Sequence, residues 1–134
     1  MSALSNYLEN ALINHVLRNT AYTTPGTSVY VGLIKFYETD KLEAGTLTQE
    51  ASGGSYARVQ VTSWDAPSNG ATQNTSDVTF PTSSADWGMV SGVFVADASS
   101  GGNVLLHGSL TSARDVKNGD VFKFNAGDLD ITFA

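Results

Sequence analysis

Gly53-Gly54-Ser55-Tyr56-Ala57-Arg58-Val59-Gln60-Val61-Thr62-Ser63-Trp64 is the stretch on which the fold turns. A glycine pair makes a turn, and then Ala57, Val59 and Val61 alternate with Tyr56, Arg58, Gln60 and Thr62. Period two over this length predicts a strand with one apolar face and one polar or aromatic face. A helix and one long apolar strand precede it, and short strands separated by Gly, Asn, Asp, Ser and Pro follow it. The expected assembly is mainly β: a single-domain β-sandwich, jelly-roll-like, with an N-terminal α-helix. Its central strand begins at about Tyr56, with residues 1–20 as the helical segment and residues 28–134 as the sandwich.

Upstream, residues 4–18 read as a helix. Leu4, Leu8, Ala11, Leu12 and Val16 recur at spacings of three and four and form one stripe. Ser2 or Ser5 can cap its start by accepting from an orphan N–H. Arg18 stands where the helix dipole favours positive charge. Ile13 and Leu17 widen the apolar face, which leaves two readings: the helix packs wholly on its own sheet, or it also touches a neighbouring chain. Residues 29–36, Val-Tyr-Val-Gly-Leu-Ile-Lys-Phe, predict a buried strand. Gly32 within it marks a close neighbour or a bulge. The polar residues 38–54 read as an exposed loop of the kind that makes contacts.

Downstream, residues 65–70 end in Asn69-Gly70, whose tolerance of positive φ predicts a turn. Strands are expected at 78–80, 89–96, 104–110, 121–124 and 129–133, with turns at 97–103, 115–120 and 125–128.

The 134 residues suit one domain with a real core. Seven basic residues against 13 acidic ones give a net charge of −6, and no run of Lys or Arg exists. Nucleic-acid binding needs clustered cations to neutralise phosphate, so no nucleic-acid partner is expected. The absence of Cys excludes disulfides and thiolate metal sites. No signal peptide and no apolar run of ~18 residues is present, so no membrane span is expected.

A search for chemistry yields no catalytic residue, no cofactor site and no metal site. His15 lacks a second His or Glu four residues on, and His107 sits in a strand among small residues, so both read as structural. No G-x-S-x-G elbow, EF-hand loop or phosphate loop occurs. Asp120, Asp128 and Asp130 read as turn-shaping acids. As alternatives, Asp128 and Asp130 pair as a glycosidase's carboxylates, or Trp64 and Trp87 line a sugar cleft. Most aromatics read as core; Tyr56 and Trp87 beside Arg58, if outward, make an interface anchor.

On these residues the chain resembles a family of small virion proteins of tailed bacteriophages, commonly labelled phage tail fibre protein. The most specific pieces are Gly53-Gly54-Ser55-Tyr56-Ala57-Arg58, Phe80-Pro81 and Ala85-Asp86-Trp87-Gly88, and the resemblance covers nearly the whole chain. It implies a structural protein of the virion, assembled in the bacterial host cytoplasm, with no enzyme activity. Two particle roles follow. The first is a capsid cement or decoration protein docked on the major capsid protein, as a homo-oligomer and specifically a trimer. The second is a tail fibre or baseplate component that meets other tail proteins and binds a glycan receptor. Compactness, with no fibrous repeat or coiled-coil stalk, puts cement first. The interface candidates are Leu4, Leu8, Leu12, Ile13, Val16, Leu17, Tyr56, Arg58 and Trp87, together with the 38–54 segment. Removal of residues 1–18 is expected to abolish incorporation or oligomerisation.

Overall fold

The structure is a computed structural model that describes residues 3–133. Nine strands and two helices follow in the order β1 (Ala3–Leu4), α1 (Asn6–Leu17), β2 (Tyr30–Ile34), α2 (Thr39–Glu43), β3 (Val59–Gln60), β4 (Ala71–Gln73), β5 (Val78–Thr79), β6 (Gly88–Ala96), β7 (Val104–Val116), β8 (Lys123–Phe124) and β9 (Asp130–Thr132). The mainly β class, the sandwich-like layering and the single N-terminal helix are as the sequence predicts.

One antiparallel sheet has the order β1-β7-β6-β2-β3, and the ribbons β4–β9 and β5–β8 form two further antiparallel pairs. Alternation along β2 and β6 sends Val31, Leu33, Val93 and Val95 to one face of the sheet and Ile34, Phe94 and Ala96 to the other. On the first face they meet Val78 and Phe80, Phe122 and Phe124, Leu129 and Ile131 from the ribbons, and Leu8 from α1. On the second face they meet Leu42 of α2, Tyr37, Leu47 and Val104. The two cores share β2 and β6, so the chain is one folding unit.

The central strand is β6, not the stretch beginning at Tyr56. Gly53, Gly54 and Ser55 all have positive φ (72, 51 and 66°), and the Tyr56 N–H returns to Gly53 O at 2.8 Å. This curl keeps residues 55–58 out of any ladder. Only Val59–Gln60 pair, at the sheet edge against β2, and Ala57 is exposed. Trp64 makes an isolated bridge with Asn74 in place of ending a strand.

Segment 38–54 is also more ordered than the exposed loop expected. It carries α2 with Leu42 buried, and Ala51 is buried too. The Lys35 and Ala51 amides donate to Gln49 O and Leu33 O, which lays 49–51 alongside the end of β2. Phe36, expected inside a buried strand, lies beyond β2 and is exposed.

Helix α1 starts at Ser5, whose hydroxyl accepts from Leu8 N–H at 3.3 Å and donates to Val104 O. Its own N–H donates to Leu105 O at 2.9 Å, so the cap also fastens the helix to β7. Ser2, the other candidate cap, lies outside the described residues. No helix among the described residues is long and apolar enough to cross a membrane.

Candidate functional site

The interface candidates separate into two groups. Leu4, expected in the helix, instead lies in β1, opposite Leu106 of β7, because the chain enters the helix only after the Ser5 cap. It is half-buried against the main core, as is Leu12 of α1, and Leu8 is buried there. Ile13, Val16 and Leu17 are 52, 72 and 78 % exposed. At 100° per residue these three share one flank of the helix, next to the packed face. The wide apolar face therefore divides: one half holds the helix on the domain, and the other half points to solvent.

Tyr56, Arg58 and Trp87 do not form a surface anchor, because all three are turned inward. Trp87 is 2 % exposed and donates its indole N–H to Gly54 O at 2.9 Å. Tyr56 stacks on Phe80, with ring centroids 6.3 Å apart, and meets Trp87 edge-on at 5.4 Å. The Arg58 side chain is 3 % exposed. Its Nε and Nη2 each reach a Glu50 carboxylate oxygen at 2.8 Å. Its Nη1 donates to Ala98 O at 2.7 Å and to Gly101 O at 2.9 Å. The guanidinium also lies 4.9 Å from the Phe94 ring centroid, a cation–π distance. A planar fork against a carboxylate satisfies both partners, which is what allows the charge inside. Paired so, Arg58 holds its proton still more tightly than an ordinary arginine, chiefly through the Glu50 hydrogen bonds.

The same Glu50 oxygen that takes Arg58 Nε accepts the Tyr56 O–H at 2.8 Å, and Tyr56 Oη accepts Leu33 N–H at 3.0 Å. Burial pushes the Tyr56 phenol far above its ordinary value, and the Leu33 amide opposes this only in part. Below the ordinary phenol pKa of about 10, folded and unfolded chains both hold this proton. Above it, the unfolded chain releases the proton and the folded chain keeps it, so stability falls as pH rises, by ~1.4 kcal/mol per pH unit for this group. Tyr22 and Tyr37 shift the same way, also by burial first. Urea unfolding at pH values on either side of ~10 will show the fall, and Tyr56→Phe will make it shallower by up to that amount. Equal slopes for parent and variant would contradict the assignment.

The histidines serve as braces. His107 is buried, with Nδ1 2.8 Å from Tyr37 Oη and Nε2 3.2 Å from Glu43 Oε1, which ties α2 to β7. His15 Nδ1 accepts the Tyr22 amide at 3.2 Å. No serine hydroxyl reaches either ring in the hydrogen bonds of the described residues. The acids serve turns: Asp120 Oδ2 accepts Lys117 N–H at 2.9 Å, and Asp128 Oδ2 accepts Asn125 N–H at 2.8 Å. With Trp87 in the core, the cleft between two tryptophans that a sugar would need there does not form. No group of three or more His, Asp or Glu placed to hold a metal occurs among the described residues.

Sequence reasoning missed the inward turn of Arg58 and Tyr56. The available signal was Glu50, an acid eight residues before the arginine, in a segment taken for loop.

Residues 3–132 match a family model described as Gp80, podophage GP4 fiber I protein gp80. No curated protein matches the chain.

Proposed function

The chain belongs to this family of podophage fiber I proteins, and from that premise we propose that it is a compact structural component of a tail fibre, docked to protein neighbours through α1. Membership supports the coarser reading directly: a fibre-type structural protein of a phage particle. It also reverses the order of the two particle roles. The family description speaks for a fibre, whereas the cement role rested on compactness alone. A compact domain without a repeat still serves a fibre as an adaptor or terminal module, so compactness does not separate the two.

The observation that carries the docking proposal is the strip of Ile13, Val16 and Leu17 on a helix fastened at its other end by Ser5 and Leu8. Adjacent large apolar side chains left in water on a well-anchored helix mark a protein contact. We take the contact to be another copy of this chain, in a homo-oligomer and by preference a trimer. The reaction-free character of the protein belongs to the same proposal: the buried ion pair and the buried histidine are committed to internal contacts, and they work by holding shape.

Removing residues 1–18 is a poor test, because Leu8 belongs to the core and Ser5 ties α1 to β7. Val16→Lys with Leu17→Lys is cleaner, since both side chains are exposed. The parent is expected to show a mass above one chain by light scattering. The double variant is expected to run as a folded monomer with an unchanged melting temperature. A parent that stays monomeric at high concentration, or a variant that still associates, would contradict contact between copies through this strip.

A further inference from the structure

Asparagine precedes glycine at two places in the chain, Asn69-Gly70 and Asn118-Gly119. A backbone nitrogen can attack the side-chain amide carbon of an asparagine just before it, and glycine, with no Cβ, leaves that approach open. Ring closure needs the nitrogen to lose its proton and the turn to open until nitrogen and carbon meet. Both dipeptides are exposed, so access to water does not separate them. Their hydrogen bonds do.

The turn at Asn118-Gly119 is braced. The Gly119 N–H, on the attacking nitrogen, donates to Ser83 O at 2.7 Å. Asn118 N–H donates to Asp86 Oδ1 at 2.8 Å. Lys117 N–H donates to Asp120 Oδ2 at 2.9 Å, and Asp120 N–H returns to Lys117 O at 3.0 Å. The Ser83 carbonyl holds the Gly119 proton but cannot take it, and bonds to two distant residues must break before this turn opens. The turn at Asn69-Gly70 has no such braces. Neither backbone N–H of the pair, nor the Asn69 side chain, makes a hydrogen bond with the described residues. The loop is closed by Ser68 and Ala71, which exchange N–H···O bonds at 3.0 Å, and by Phe133 N–H donating to Gly70 O at 2.8 Å.

We propose that Asn69 is a self-modification site, converted to aspartate and isoaspartate with water as the only co-reactant, while Asn118 stays intact. The Gly70 nitrogen gives its proton to hydroxide and bonds to Asn69 Cγ. The Cγ–Nδ2 bond breaks, ammonia leaves, and a five-membered imide remains. Water then adds to one of the two imide carbonyl carbons. Breaking the new N–Cγ bond restores an ordinary backbone with aspartate. Breaking the older bond, to the Asn69 backbone carbonyl carbon, routes the chain through Cβ and Cγ as isoaspartate. In sum, asparagine and water give the acid and ammonia.

Aspartate fits the turn, because it tolerates positive φ. Isoaspartate adds a backbone carbon to a two-residue loop and displaces Gly70. There is little room for that, since even a Cβ on Gly70 would fall 2.8 Å from Phe133 O. The end of β9 therefore loosens in the isoaspartate form. A protein built into a particle is not renewed there, so the product accumulates with age, however α1 is engaged.

The test ages the full folded chain at neutral and at mildly alkaline pH, then maps acid-digested peptides by mass spectrometry, with isoaspartyl methyltransferase to count isoaspartate. Asn69 is expected to become one mass unit heavier roughly tenfold or more faster than Asn118, as the extra hydrogen bonds at Asn118 require, and faster at the higher pH. In urea both turns are open, and the two rates are expected to converge. Amide exchange is expected to show lost protection at Phe133 in the isoaspartate form; retained protection would contradict the loosening of β9. The proposal is overturned if Asn69 stays intact, if both asparagines convert at like rates in the folded chain, or if the same ratio persists in urea.

Discussion

Arg58→Ala will destabilise the fold by about 3–5 kcal/mol, the range for breaking a buried ion pair from one side. This guanidinium donates four hydrogen bonds, two to the Glu50 carboxylate and two to the carbonyls of Ala98 and Gly101. Alanine leaves the carboxylate half-buried with Tyr56 as its remaining side-chain donor, and leaves both carbonyls short of a partner. It also uncovers the Phe94 ring. Arg58→Lys keeps the charge but loses the fork, so it will recover less than half of the deficit. Urea or thermal unfolding measures both, and a double-mutant cycle with Glu50→Gln will return a coupling of ~1 kcal/mol or more. A loss below about 1 kcal/mol for Arg58→Ala would mean that water reaches this pair.

Gly32→Ala will cost about 3 kcal/mol, at the upper end for overpacking. Gly32 stands directly opposite Phe94 in the β2–β6 ladder. A Cβ built there falls 2.3 and 2.4 Å from two Phe94 ring carbons and 3.0 Å from Tyr56 Oη. Phe94 is 1 % exposed and lies beneath Arg58, so the ring has nowhere to swing. The glycine is needed for space; its φ is not positive. Because the clash is with that ring, Phe94→Leu will cost less in the Gly32→Ala background than in the parent. Strict additivity of the two substitutions would show that the strain is relieved somewhere else.

Both predictions concern one cluster, and that cluster shows what the residues disclosed in advance and what they withheld. Gly32 was legible: a glycine inside an apolar, β-branched run means a bulge or a close neighbour, and the neighbour is Phe94. The helix was legible from its three–four spacing, as was its cap, and the Asn69-Gly70 turn from its tolerance of positive φ, found at 53 and 75°. The direction of Tyr56 and Arg58 was not. Alternation argues from hydrophobicity, so it assigns a lone arginine to solvent, whereas this arginine is inside because Glu50 and two carbonyls some forty residues downstream meet it there. The two carbonyls at that separation leave no local signature, and Glu50, eight residues before the arginine, was the one signal within local reach. Segment 38–54 was misread for a related reason: Leu42 and Ala51 are single apolar residues in polar surroundings, and only the folded sheet gives them places to pack, Leu42 in the second core and Ala51 in the main one. The helix strip was legible as excess apolar width, but its division at Ile13 required the packed face to be known. The register shift between β6 and β7, where residues 110–113 face the single residue Ser91, was not legible, because neither strand announces it alone.

Cryo-electron microscopy of the intact phage particle that carries this chain bears most directly on the assignment to a fibre. The map is expected to contain this fold within a tail fibre, with Ile13, Val16 and Leu17 covered by a protein neighbour. Particles that lack the domain altogether, or that carry it with the α1 strip facing solvent, would contradict the account.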